Sequence, residues 1–234
     1  DAYKSINEAL FHASTYAGRK LNLVSIHSEK INNENAGELL SGFDGVVVAP
    51  GFGQRGIDGK FAALRWCREN DVPTFGICLG MQCMVIEFAR NVLGLTEANS
   101  TEMSPHTADN VIDLMEEQKS ISNLGGTMRL GAFDCVLRPE SLAAKAYGTT
   151  EISERHRHRF EFNEEYRTRF EEAGMACVGE NPATKLVEVV EIPGKRWYVG
   201  TQYHPEYSST VLSPSPLFAS FINAAVEYHN EKKK

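Results

Sequence analysis

Three short apolar runs, each closed by glycine, proline or a reactive side chain, limit most tightly how this chain can fold. Residues 45–49 lead into the turn Pro50-Gly51-Phe52-Gly53, residues 72–77 lead straight into Cys78, and residues 197–203 lead into His204. Runs this short, continuous rather than alternating, and bounded by Gly or Pro suit strands buried on both faces of a parallel sheet. A helical pattern over residues 60–70 carries Phe61, Ala62, Leu64 and Trp66, and a second follows Cys78 with Met81, Met84, Val85, Phe88 and Val92. Strand, helix, strand, helix implies an α/β fold of three layers, a mostly parallel central sheet with helices on both faces. The length of 234 residues fits one such domain spanning 1–234.

In sheets of this kind ligands bind beyond the carboxyl ends of the strands, and all three candidate segments fall there. Gly76-Ile77-Cys78-Leu79-Gly80 is a G-x-C-x-G elbow, the thiol counterpart of the G-x-S-x-G nucleophile turn. Its glycines permit a sharp turn that holds Cys78 in a strained conformation. The helix that follows points its N-terminus at the sulfur, favouring thiolate. Alone, such a cysteine reads equally well as a buried structural residue. A thiol nucleophile also needs a base and an orienter, and His204-Pro205-Glu206 supplies both. In an extended segment His204 and Glu206 project to one side, so the carboxylate can fix the imidazole tautomer.

The rest of the chain narrows the field by exclusion. A net charge of -7 argues against a nucleic-acid groove, which needs a clustered basic face. Five cysteines, an odd number without metal-site spacing, point to a reduced, cytoplasmic setting. No apolar run is long enough for a transmembrane helix, and no signal peptide is evident. Because the chain opens at Asp1 inside a helical pattern over residues 3–17, a fragment of a longer protein is expected. Residues 21–26 alternate as a strand and 33–41 form a polar, partly helical connection. A long loop or insertion is expected over 97–125, antiparallel strands over 127–137 and 184–192, and a final helix over 217–229.

Two motifs invite misreading. Gly51-Phe52-Gly53-Gln54-Arg55-Gly56 matches G-x-G-x-x-G formally, but no second strand ends in an acidic residue at the right distance, so it is not read as a dinucleotide fingerprint. It reads better as a loop whose backbone N–H groups face the thiol and, with that of Leu79, form an oxyanion hole. His156 and His158 lie in Arg155-His156-Arg157-His158-Arg159, where the arginines would repel a metal ion, so a solvated or anion-facing basic strand is expected.

Gly76–Gln82 together with His204-Pro205-Glu206 resembles the class I (triad) glutamine amidotransferases. Gly51–Gly56, Ala98-Asn99-Ser100-Thr101-Glu102, residues 125–131 and residues 155–161 narrow the resemblance to the glutaminase domain of the CTP synthase family, and it covers essentially the whole chain. The resemblance implies that Cys78 forms a γ-glutamyl thioester, with protons moved by His204 under the control of Glu206. L-Glutamine would be held through Glu102 at its ammonium and Arg159 at its carboxylate, with further contacts from Gly51, Leu79, Gly80, Met81 and Gln82. The oxyanion loop would involve Gly51, Phe52 and Leu79, and Phe52, Gly53 and Arg55 would sense GTP as allosteric activator. No cofactor or metal is expected in this domain. ATP, Mg2+ and UTP would belong to an N-terminal synthase domain absent from this chain, and the full-length protein would be a homotetramer. The chain departs from the usual loop, Pro-Gly-Gly-Phe-Gly, by carrying Pro50 where the first glycine stands. Proline has no N–H, so Gly51 or Phe52 would have to donate. Alternatives are another triad amidotransferase or γ-glutamyl hydrolase, and a catalytically silent regulatory or assembly module.

Overall fold

In the computed structural model, which describes residues 3–114 and 128–234, seven strands form one sheet in the order β1-β2-β9-β8-β7-β4-β5. β1 (Val46–Val48), β2 (Thr74–Ile77) and β9 (Tyr198–Thr201) are mutually parallel and are the three apolar runs of the sequence. β8 (Val187–Glu191), β7 (Ala176–Glu180), β4 (Arg129–Leu137) and β5 (Glu151–His158) extend the sheet by antiparallel pairing. The sheet is therefore mixed, with the parallel part confined to the three strands that carry the candidate site. The difference has a physical origin: parallel neighbours need a long crossover, whereas β7 and β8 are separated by one short turn.

Helices cover both faces. α3 (Ile57–Glu69) and α4 (Leu79–Asn91) pack on one, and α1 (Lys4–Tyr16), α5 (Leu142–Tyr147) and α7 (Pro216–Lys232) on the other. Alternate residues of the buried strands divide between the two layers: Val48 and Tyr198 join the α4 side, while Phe75, Ile77 and Val199 meet Phe218 and Phe221 of α7. α2 (Ala36–Leu40) packs beside α3, and α6 (Arg167–Ala173) follows the small antiparallel ladder of β3 (Ile112–Leu114) with β6 (Phe160–Phe162). That ladder closes the end of the sheet over the site.

The segment 21–26, expected as a strand, has no ladder partner among the described residues, and Leu23 and Val24 stay exposed. Its alternation lacks a buried face to enforce pairing. Part of the expected insertion over 97–125 is β3, reached through a bridge from Ser100 to Ile112; residues 115–127 lie outside the described residues. Among the described residues no helix is long and apolar enough to cross a membrane.

Candidate active site

Cys78 joins β2 to α4 with φ 54° and ψ −107°, a conformation few non-glycine residues adopt. Its N–H is tied to the Thr201 carbonyl of β9 at 2.7 Å, so the strain is held by the sheet. Both elbow glycines are needed for close approach. A Cβ at Gly76 would lie 2.8 Å from the Gly80 carbonyl, and one at Gly80 would lie 3.0 Å from the carbonyl carbon of Val48. Burial pushes the Cys78 thiol up to about 12, with the Leu79 backbone N–H at the start of α4 pulling the other way. The resting thiol therefore keeps its proton until a base removes it.

That base stands on the neighbouring strand. β2 and β9 run in register, Ile77 opposite Thr201, so Cys78 and His204 leave the same edge of the sheet. His204 is fixed from behind by its N–H to the Arg155 carbonyl at 2.8 Å, and its ring stacks on Tyr207. Its Nδ1 meets Glu206 Oε1 at 2.8 Å, while Nε2 is buried without a partner. The pair is brought together by a 3-10 turn over Pro205–Ser208, not by the extended segment expected from sequence. Proline at the first position of the turn has the right φ and no N–H to strand there.

A cavity opens in front of the sulfur. Gly51 and Phe52 wall it on the loop side, Leu79 and Gln82 come from α4, and Glu102, His158, Arg159 and Phe160 close the far side. The β3–β6 ladder and the Ser100 bridge set the Glu102 loop against the Arg159 corner. Glu102 accepts the Gly53 N–H at 3.4 Å, and Arg159 keeps a buried Nε without a partner. An acid and a guanidinium thus share one cavity with the nucleophile, which suits a zwitterionic amino acid. Pro50 offers no donor and Gly53 is committed to Glu102, so Gly51 and Phe52 are the loop residues at the cavity wall that keep an N–H without an acceptor among the described residues.

Three polar residues in or beside the cavity were not expected there from sequence. Gln202, fully buried, has its Nε2 3.8 Å from Cys78 Sγ and accepts from Gln82 Nε2 at 3.1 Å, while Gln82 also donates to the Phe160 carbonyl at 3.0 Å. A polar residue inside an apolar strand end, two before His204, was the available signal. His158 is the second, and Lys60, on α3 behind the glycine loop, is the third. The expected solvated strand over 155–159 is corrected by the structure: Arg155 and Arg157 face solvent, but His156 and His158 are buried and 2.7 Å apart. They share an interior cluster with Arg129, Glu161 and Glu188, in which Arg129 pairs with Glu188 at 2.7 Å. Burial drives the His156 and His158 pKa values down, to about 2 and about 3, and raises those of Glu161 and Glu188. Both imidazoles are neutral at ordinary pH.

Other expected site residues lie elsewhere. Gly80 packs on β1 and Met81 is in the core beneath β9, neither lining the cavity. Arg55 is exposed and paired with Glu29 at 3.1 Å. Phe52 exposes most of its ring, with the Arg157 guanidinium 5.9 Å from its centroid.

This fold and site match the family described as glutamine amidotransferase class-I over residues 1–224, and the chain belongs to that family. A solved glutaminase domain of the CTP synthase from Trypanosoma brucei, with bound acivicin, superposes with a TM-score of 0.91 at 36% identity, covering 97% of this chain and 89% of the other. A CTP synthase of Porphyromonas gingivalis is 59% identical over 234 residues, and one of Bacteroides thetaiotaomicron is 61% identical over 232. This chain spans 43% of the length of each of those two relatives. Within its family the chain is of the kind that forms the glutaminase domain of CTP synthases. A GMP synthase component from Thermoplasma acidophilum shares the fold, with a TM-score of 0.60 at 17% identity over 97% of this chain and 92% of the other.

Proposed function

We propose that the chain hydrolyses L-glutamine through a thioester on Cys78 and delivers the ammonia to a synthase domain that converts UTP to CTP. The observation that carries this is one sheet edge bearing a strained thiol, a buried imidazole whose Nε2 is free, and a carboxylate on its Nδ1. Glu206 holds the proton on Nδ1, so Nε2 carries the lone pair. As Cys78 Sγ bonds to the glutamine Cδ, the thiol proton passes to Nε2, and the carbonyl oxygen becomes an oxyanion opposite the Leu79 N–H and a loop donor. Collapse breaks the C–N bond as Nε2–H protonates the departing amide nitrogen, releasing ammonia. Water then attacks the thioester, giving its proton to Nε2, and glutamate leaves with the thiol restored. Glu102 and Arg159 hold the α-ammonium and α-carboxylate, so the amide end alone reaches the sulfur.

The same reading places ATP, Mg2+ and UTP on the synthase domain and makes the full-length protein a homotetramer. GTP activation would act at the exposed side of the loop, where Phe52, Gly53 and Arg55 lie. The test is made on the full-length polypeptide. Cys78→Ala should abolish glutamine-dependent CTP formation and leave ammonia-dependent formation intact. Glutamine-dependent synthesis surviving the substitution would refute the role of Cys78 and exclude a working glutaminase built on it.

A further inference from the structure

Lys60 is a half-buried cation close to the nucleophile, and the mechanism above makes no use of it. It projects from the first turn of α3 toward the end of β1, and its Nζ donates to the Ala49 carbonyl at 2.8 Å. It lies 3.9 Å from where a Cβ at Gly51 would be. Burial holds its ammonium below the usual lysine range. A lysine of the solvated surface would instead pair with an acid or reach into water.

The peptide between Ala49 and Pro50 explains what this lysine holds. Its nitrogen carries no hydrogen, so the Ala49 carbonyl is its sole polar atom, and Lys60 takes it. Proline fixes its own φ near −65° (about ±15°), which leaves a single free torsion, the Pro50 ψ, between that carbonyl and the Gly51 N–H. Gly51 and Phe52 line the cavity, and their N–H groups have no acceptor among the described residues.

We propose that Lys60 is a positioning residue for glutamine hydrolysis: by gripping the Ala49 carbonyl it fixes the loop N–H donors that stabilise the oxyanion on the substrate at Cys78. This rests on the glutaminase reading above, and the experiment separates the two. The wild-type chain and Lys60→Met are each treated with 6-diazo-5-oxo-L-norleucine, whose ketone oxygen needs the same donors, and with iodoacetamide, which alkylates a thiolate by direct displacement without forming an oxyanion. Modification of Cys78 is followed by peptide mass, and both proteins are melted to confirm that they fold. Losing one oxyanion donor typically costs about 10²–10³-fold, so a loosened loop is expected to slow the diazoketone reaction at least ~10-fold. Iodoacetamide alkylation should stay within about 3-fold of wild type. Lys60→Gln, which keeps a donor without the charge, should recover part of the diazoketone rate. Equal diazoketone rates in wild type and Lys60→Met, or parallel losses with both reagents, would overturn the positioning role. A wild-type chain that the diazoketone fails to label would remove the glutaminase reading itself.

Discussion

Gly80→Ala sets two physical effects against each other with opposite signs. Gly80 sits in the first turn of α4 with ordinary helical torsions, since it is absent from the residues with positive φ. Helix propensity alone makes alanine the better residue by about 1 kcal/mol, so the variant would be stabilised. The packing says otherwise. The added methyl would stand 3.0 Å from the carbonyl carbon of Val48 and closer still to its oxygen. Comfortable carbon–carbon contact is about 3.5–4.0 Å, so clearing the carbon alone needs α4 to retreat from β1 by roughly 0.5–1 Å, and clearing the nearer oxygen needs about 1 Å or more. Overpacking of this kind costs about 1–3 kcal/mol. Net of the helix gain the loss is up to about 2 kcal/mol, so at about 2–4 °C per kcal/mol for a domain of this size the melting temperature should fall by up to roughly 8 °C. The same retreat carries the Leu79 N–H away from the oxyanion, and a displacement of about 1 Å at a reacting centre costs on the order of 10²-fold in rate. Thermal melts followed by circular dichroism, with glutamate release as the activity assay, read both effects. A Gly80→Ala protein that melts at or above wild type and hydrolyses glutamine at the wild-type rate would refute the steric account.

Three further outcomes follow from the site. Glu206→Gln replaces an acceptor-only carboxylate by an amide that can also donate, so the His204 tautomer is no longer fixed, and kcat should fall by about 10²–10⁴-fold, the range for general acid–base catalysis, with an unchanged circular dichroism spectrum; a loss under ten-fold would contradict the role. Arg159→Lys replaces a guanidinium fork by a point charge, which should raise KM for glutamine roughly 10- to 150-fold, corresponding to about 1.5–3 kcal/mol; an unchanged KM would place the carboxylate elsewhere. Glu154, beneath the Glu206 turn, accepts from Tyr147 at 2.8 Å, and burial pushes its pKa from 4.5 up to about 6. The folded protein therefore binds more protons than the unfolded chain between those values, and stability falls as pH rises through that window. Glu154→Gln cannot titrate, so its melting temperature should gain on wild type between pH 4.5 and 6 and hold that advantage above; parallel curves would show that Glu154 is not the titrating group.

The sequence carried the catalytic core because chemistry and backbone coincide there. A cysteine flanked by glycines at a strand end, and a histidine two residues from a glutamate at another, need no tertiary knowledge to stand out. The parallel strands were legible for the same reason: they are buried on both faces, so their apolar runs are continuous. β4 and β8 were expected as antiparallel strands over 127–137 and 184–192, whereas β5 alternates inward and outward residues and showed only as a basic string, and β7 was not expected. His156 and His158 were misread because the alternation of β5 puts every second residue inside, whereas composition alone sees a basic string. Gly80 and Met81 belong to the same motif as Cys78, yet a helix turns its side chains through about 100° per residue, so only Leu79 and Gln82 face the cavity. Lys60 was invisible, and Gln202 was marked only as a polar residue at an apolar strand end, because their roles depend on what lies across the fold: a carbonyl at the end of β1 and a sulfur at the end of β2.

The central claim is that Cys78 is a glutamine-directed nucleophile preorganised within this chain. Intact mass after incubation with 6-diazo-5-oxo-L-norleucine, for wild type beside Cys78→Ala, tests it most directly. A single adduct on wild type and none on Cys78→Ala is the expected result; an unmodified wild type, or equal labelling of both proteins, would contradict the claim.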